Sequence, residues 1–306
     1  MHPITTAQLL SALRQALSCV EGAYAIVVLN QADGDTLVAA RKDSPLIIGL
    51  GEGENYIASD IPAIVGRTKR VIVLEDGDIA IVRRNGVELQ NLAGEPVERA
   101  TLTIDWDPGQ AEKGGYDHFM LKEIHEQPQA LRAALAGRIR EDANGILTVK
   151  PVQVLPPEQI KALRRVVITA AGTAYHAGLL GKQWLERWTD LPVEVDVASE
   201  WRYREPRMGS DTLAIVMSQS GETADTLAAL REAARRGAST LAITNVVGSS
   251  VDRAADKAIH TNAGPEIAVA STKAFTAQLM VLACLAVLMP FTAAFSYTTR
   301  VDWQAA

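Results

Sequence analysis

Hydrophobic positions in the first hundred residues come in short runs instead of at helical spacing. Val- and Ile-rich runs at 24–29, 36–40, 45–50, 55–59, 70–74 and 78–83 are punctuated by Asp33-Gly34, Gly51 to Gly53, Asp76-Gly77 and Asn85-Gly86, a pattern of strands joined by tight hairpins. Ahead of them, Leu9, Leu10, Leu13, Leu17 and Val20 recur at helical spacing over 7–20, with Thr5 or Thr6 as cap. The first part is therefore expected to be a short helix followed by a mostly antiparallel sheet. Between about 106 and 157 the pattern becomes polar and helix-forming. Asp107-Pro108-Gly109 marks a break, 118–135 reads as helix, and Pro128 predicts that one helix ends there and another begins. Pro151, Pro156 and Pro157 close this connector.

Beyond it, strand and helix alternate. The runs at 165–171, 193–198, 212–217 and 239–245, with 257–263 as a fifth, are of the buried parallel type, and helical stretches follow them. Such alternation predicts an α/β fold with a doubly wound parallel sheet, whose ligands sit beyond the carboxyl ends of the strands.

Length and charge narrow the picture. The chain has 306 residues, enough for two domains at roughly 150 residues each. A formal charge of -6 with 22% charged residues provides no basic face for nucleic acid. Any anionic ligand must then be held by backbone amides and hydroxyls. Cys19 and Cys284 lie far apart with no histidine nearby, so both are read as buried thiols, Cys19 as a small core residue; no metal or cofactor is expected. The stretch 274–299 has no charge, but Thr276, Gln278, Pro290 and Thr292 favour a buried helix over a membrane span. Residues 1–6 show neither a basic nor an apolar leader region, and a cytoplasmic location is expected.

The chemistry concentrates after the third strand of the parallel sheet. Ser218-Gln219-Ser220-Gly221-Glu222-Thr223 places three hydroxyls and a glycine where a strand turns into a helix. Free amides and the helix dipole attract an anion there, and hydroxyls add donors without adding charge. The competing reading is that Ser220 or Thr223 is only an N-cap. Thr173, in the small-residue turn after the first strand, is placed to add a donor in the same crevice. Ser271, Thr272 and Lys273 open the last helix, with Lys273 either reaching the anion or merely solvated.

SQSGETADT, AGTAYHAG, ASEWRYREP and EIAVASTKAF, in this order, resemble the sugar isomerase (SIS) domain of the glutamine–fructose-6-phosphate aminotransferases. VEGAYAIVVL, SPLIIGLGEGENYIASD and LEDGDIA resemble the rear part of that family's class II glutaminase domain, and YDHFMLKEIHEQPQALR its interdomain segment. The resemblance implies four parts: 1–105, the C-terminal part of a glutaminase type-2 domain; 106–157, a helical interdomain segment; 158–290, the first SIS domain; 291–306, a divergent tail. It implies an activity that forms glucosamine 6-phosphate and glutamate from fructose 6-phosphate and glutamine. Thr173, Ser218, Gln219, Ser220 and Thr223 would hold the sugar phosphate, and Val269, Ala270 and Ser271 would line the sugar. The bound species would be fructose 6-phosphate or glucosamine 6-phosphate, and a homodimer is implied.

Departures from the family pattern lie in three places. Ala174 replaces the usual Ser after the first strand, and position 2 is His2 where the family's nucleophilic cysteine would stand. The family's second SIS domain, with its isomerase residues, has no counterpart. No catalytic residue is therefore assigned, and the chain is read as truncated at both ends and inactive alone. The alternative is a non-catalytic sugar-phosphate-binding SIS module.

The smaller signals receive plain structural readings. Gly49 to Gly53 is a hairpin turn, His118 and His125 are packing residues, and 231–236 is the wet face of a helix. Trp201, Arg202, Tyr203 and Arg204 are assigned to subunit or interdomain packing.

Overall fold

A computed structural model describes residues 4–31, 33–61, 63–104, 112–141, 147–149 and 155–294. The chain divides into two compact units, 1–112 and 113–306. In the first, α1 (Thr6–Leu17) precedes β1 (Tyr24–Asn30), β2 (Asp33–Lys42), β3 (Ile47–Leu50), β4 (Asn55–Ala58), β5 (Arg70–Val73), β6 (Ile79–Arg83), β7 (Gly86–Gln90) and β8 (Thr101–Thr103). The expected single sheet is two, ordered β1-β2-β6-β7 and β4-β3-β5-β8, with every pairing antiparallel.

Alternation along the strands explains the layering. Val38 and Ala40 of β2, with Ile79 and Ile81 of β6, meet Leu10, Leu13 and Leu17 of α1 on one face. Ala39, Ala80 and Val82 point the other way, onto Leu46, Ile48, Ile72 and Leu74. Neighbours in a strand thus serve two cores. The strands β7 and β8 escaped the sequence reading because GVELQ and TLT are short and half polar.

Turn placement also differs from expectation at one point. Asp33-Gly34 opens β2 instead of turning, and the hairpin closes at Asn30, which pairs with Asp33. Gly51 to Gly53 is the hairpin between β3 and β4, as read, with the Gly51 amide bonded to the Glu54 carbonyl at 3.1 Å.

Cys19 is exposed, against the expectation of a core thiol, whereas Cys284 is buried. The reason is local: α1 stops at Leu17 and Ser18 caps it. Cys19 therefore lies past the last turn of the apolar stripe.

The second unit contains α2 (Phe119–Leu135), β9 (Ile139–Glu141), β10 (Leu147–Val149), α3 (Pro157–Ala162), β11 (Arg165–Ala170), α4 (Gly172–Thr189), β12 (Val193–Val197), α5 (Ala198–Trp201), β13 (Thr212–Ser218), α6 (Ala224–Arg235), β14 (Ser239–Thr244), α7 (Ser250–Ala254), β15 (Lys257–His260) and α8 (Lys273–Ala294). Its main sheet is parallel, in the order β12-β11-β13-β14-β15. All seven residues of β13 are buried, as a central strand covered on both faces requires. Val166, Ile168, Leu213, Ile215 and Met217 face α4 and α8. Val167 and Ala214 face Trp201 and the α6 alanines, and Val216 faces Leu227 and Leu230.

Pro128 does not divide its helix: α2 runs through it. Proline cannot donate to the Ile124 carbonyl, but the Gln127 side chain does so instead, at 3.1 Å, and the lost bond is replaced. A small antiparallel pair, β9 with β10, lies in the stretch read as purely helical. Trp201, assigned to an interface, is 1% exposed within its own unit. The expected break at 107–109, the boundary at 105 and the tail from 295 lie outside the described residues. Among the described residues, no helix is long and apolar enough to cross a membrane, and α8 packs its apolar length on α4 and α2.

Candidate functional site

The first and third strands of the parallel sheet, β11 and β13, lie side by side in register, Ala170 opposite Met217. The chain leaves β11 toward β12 and leaves β13 toward β14, in opposite directions across the sheet. This is the strand-order reversal that opens a crevice at the carboxyl edge of such sheets. Two helices, α4 and α6, begin there, and each brings a first turn of amides without intrahelical partners. Their dipoles add partial positive charge at the same edge.

A cavity of about 370 Å³ fills the crevice. Thr173, Ser218, Gln219, Ser220, Thr223, Val269, Ala270 and Ser271 all line it. Thr173 stands in the first turn of α4, Ser218 ends β13, and Thr223 is the N-cap of α6. Val269, Ala270 and Ser271 come from the loop before α8.

The turn after β13 is built around Gly221. Its φ of +68° is left-handed, and a Cβ there would lie 2.0 Å from Ser249 Oγ, so only glycine fits. Glu222 points away from the cavity and takes both the Ser250 amide, at 2.8 Å, and the Ser250 hydroxyl, at 2.7 Å. Those bonds fasten the turn to α7.

The hydroxyls have a definite proton count. Ser218 Oγ accepts from the Gly221 amide at 2.9 Å and lies 3.0 Å from Thr223 Oγ1. Ser220 Oγ accepts from the Glu222 amide at 3.2 Å. The Gly221 amide is thus spent on Ser218 and is not one of the free amides expected there. Of the three hydroxyl protons, the Ser218–Thr223 pair uses one, and two remain to donate to a ligand. Thr223 makes no side-chain cap bond to α6, so the N-cap reading fails for its hydroxyl.

Glu266 and Gln278 also line the cavity and were not assigned to it from the sequence. Glu266 Oε1 accepts from the amides of Thr272, at 2.8 Å, and Ala274, at 3.1 Å, which caps α8. Gln278 is 2% exposed, inside α8. Its signal was an amide side chain at 278 in an uncharged, mostly apolar stretch. Lys273 does not line the cavity: it is buried against Glu126 Oε2 at 2.7 Å. The Cys284 thiol is also outside the cavity, its pKa pushed up by burial. His125 stacks on Tyr116, and among the described residues no group of His, Cys, Asp or Glu could hold a metal ion.

Fold and crevice together define a doubly wound α/β domain with a site at the carboxyl edge of its sheet, and the SIS domain family matches residues 159–288. The chain is related, over about nine-tenths of its own length, to glutamine–fructose-6-phosphate aminotransferases of the isomerizing type. It is 56% identical over 279 residues to that of Symbiobacterium thermophilum, covering 91% of this chain and 46% of the relative. The Thermus thermophilus enzyme of the same name is 52% identical, with 91% and 45% covered. The solved C-terminal domain of glucosamine-fructose-6-phosphate aminotransferase from Francisella tularensis aligns with a TM-score of 0.53 and 40% identity, over 58% of this chain and 49% of that one. The chain spans a little under half the length of the curated relatives it matches.

Proposed function

We propose that the cavity binds a phosphorylated hexose and that the chain supplies the sugar-phosphate-holding part of an amidotransferase forming glucosamine 6-phosphate and glutamate from fructose 6-phosphate and glutamine. The observation that carries this reading is the Thr223 hydroxyl, turned from its own helix toward Ser218 at the cavity. Thr173, Ser218, Gln219, Ser220 and Thr223 would take the phosphate, and Val269, Ala270 and Ser271 the sugar. Residues 1–105 would be the rear of a glutaminase domain, 106–157 the joint and 158–290 the SIS domain. A cytoplasmic homodimer fits this reading.

Binding without turnover by this chain is the second reading, and one observation favours it. Among the described residues that line the cavity Glu266 is the sole ionisable one, and its Oε1 already serves two amides. Calorimetric titration with fructose 6-phosphate, glucose 6-phosphate and fructose tests the site. The two phosphates should bind and fructose should bind far less well. One hydrogen bond to a charged group is worth about 1.5–3 kcal/mol, so Ser220→Ala and Thr223→Ala should each weaken binding about ten-fold or more. Phosphorylated sugars binding no better than fructose would refute the reading.

A further inference from the structure

The loop from Glu266 to Thr272 provides all three candidate sugar contacts, yet it belongs to no helix or strand and Val269 is fully exposed. Besides the Glu266 bonds to Thr272 and Ala274 at its exit, its anchorage comes from α2, far away in sequence. Glu123, 2% exposed, accepts from the Ile267 amide at 2.6 Å and the Ala268 amide at 3.2 Å through Oε1, with Ala268 N also 3.3 Å from Oε2. Three residues on, Glu126 Oε2 accepts from buried Lys273 at 2.7 Å, where α8 begins. The same helix therefore grips the loop at its entry and its exit. The phosphate turn is fastened separately, through Glu222 and Ser250.

Burial pushes the Glu123 carboxyl above the usual carboxylate range, although the Ile267 and Ala268 amides pull it down. The sign follows: the folded state holds the proton more tightly than the unfolded chain, so an ionised Glu123 costs stability as pH rises through its raised pKa.

Resting on the reading of the cavity as a hexose-phosphate site, we propose that Glu123 is a positioning residue. It fixes the Ile267 and Ala268 amides so that Val269, Ala270 and Ser271 meet the hexose, while the phosphate is held independently by the turn after β13. A carboxylate accepts on both oxygens, whereas a carboxamide offers one acceptor and turns a donor on the other side.

Glu123→Gln in the full chain tests the assignment with two probes and one exchange measurement. Fructose 6-phosphate should bind about ten-fold more weakly, the equivalent of one charge-assisted hydrogen bond. Inorganic phosphate should bind as in the parent, and the thermal midpoint should stay level or rise. In the ligand-free protein, hydrogen exchange at the Ile267 and Ala268 amides should accelerate while that at Val251, which donates to the Gly221 carbonyl, stays unchanged. Equal weakening for both probes, or unaltered fructose 6-phosphate binding, would overturn the proposal. If the parent itself does not prefer fructose 6-phosphate to fructose, the functional reading fails instead, and unaltered exchange at the two amides would independently overturn the anchorage. Should Glu123→Gln fail to fold, Glu123→Asp, one methylene too short to reach both amides, is read in the same way.

Discussion

Two turns at the carboxyl edge of one sheet perform the same geometric task with different chemistry. After β11 the chain turns through Ala171, Gly172, Thr173 and Ala174; after β13 it turns through Ser218 to Thr223. Both enter a helix of three turns or more, α4 or α6, and both use a glycine at positive φ, +58° at Gly172 and +68° at Gly221. One turn brings a single hydroxyl and small side chains, the other three hydroxyls and Gln219. The helix N-terminus is common to both, so under the proposed reading it would not by itself decide which turn takes the anion. Side-chain donors would make that difference, and the small-residue turn would supply room.

The largest effect that would separate the two turns lies in their glycines. A Cβ on Gly172 meets nothing within 4 Å, whereas one on Gly221 collides with Ser249 and Thr244. Gly172→Ala should cost about 1 kcal/mol, the left-handed strain alone. Gly221→Ala should cost about 3 kcal/mol or more, because overpacking adds to that strain. Urea unfolding of both variants measures the gap, and equal costs would show that the Gly221 turn relaxes freely.

A smaller effect would sharpen the chemical side. Ala174 is nearly buried at the cavity wall, in the turn that is poor in donors. Ala174→Ser should tighten fructose 6-phosphate binding by about three- to ten-fold if its new hydroxyl reaches the anion. Titration showing no gain would mean that the first turn contributes only space.

The smallest effect concerns the far ends of the helices. On α6, Glu232 pairs with Arg235 at 2.7 Å and Arg236 at 2.5 Å, and the Arg235 hydrogen bond, foremost among these, lowers its carboxyl to about 2. A lowered folded pKa means stability that is complete above the unfolded value of about 4.5 and is lost as pH falls toward 2. Glu232→Gln should flatten part of the acid limb of the stability curve. In α4 the corresponding Lys182–Glu186 pair, at 3.4 Å, is more exposed. Thermal melts of the parent and of Glu232→Gln between pH 2 and 5 measure the effect.

Much of this site was legible locally. The hydroxyl-rich stretch 218–223 follows a wholly apolar run and precedes an amphipathic helix, so its place at a strand-to-helix turn needed no tertiary information. The period-two pattern of β2 and β6 likewise disclosed strands, but it could not show that their second face meets another sheet through Leu46 and Leu74. Pro128 misled because the rule that breaks a helix counts one missing donor, and the Gln127 side chain supplies a replacement.

What the sequence determined by itself was whatever depends on near neighbours along the chain: strand and helix periodicity, the glycine turns, the clustered hydroxyls and the SIS-like motif order. Tertiary structure alone decided which turns share a cavity, that Gln278 faces it, that Lys273 is spent on Glu126, and that Glu123 holds the Ile267 amide across 144 positions. The physical reason is that a periodic pattern records only whether a side chain faces a core. Which partner meets it there depends on strand order and helix packing, which bring together residues that no local spacing relates.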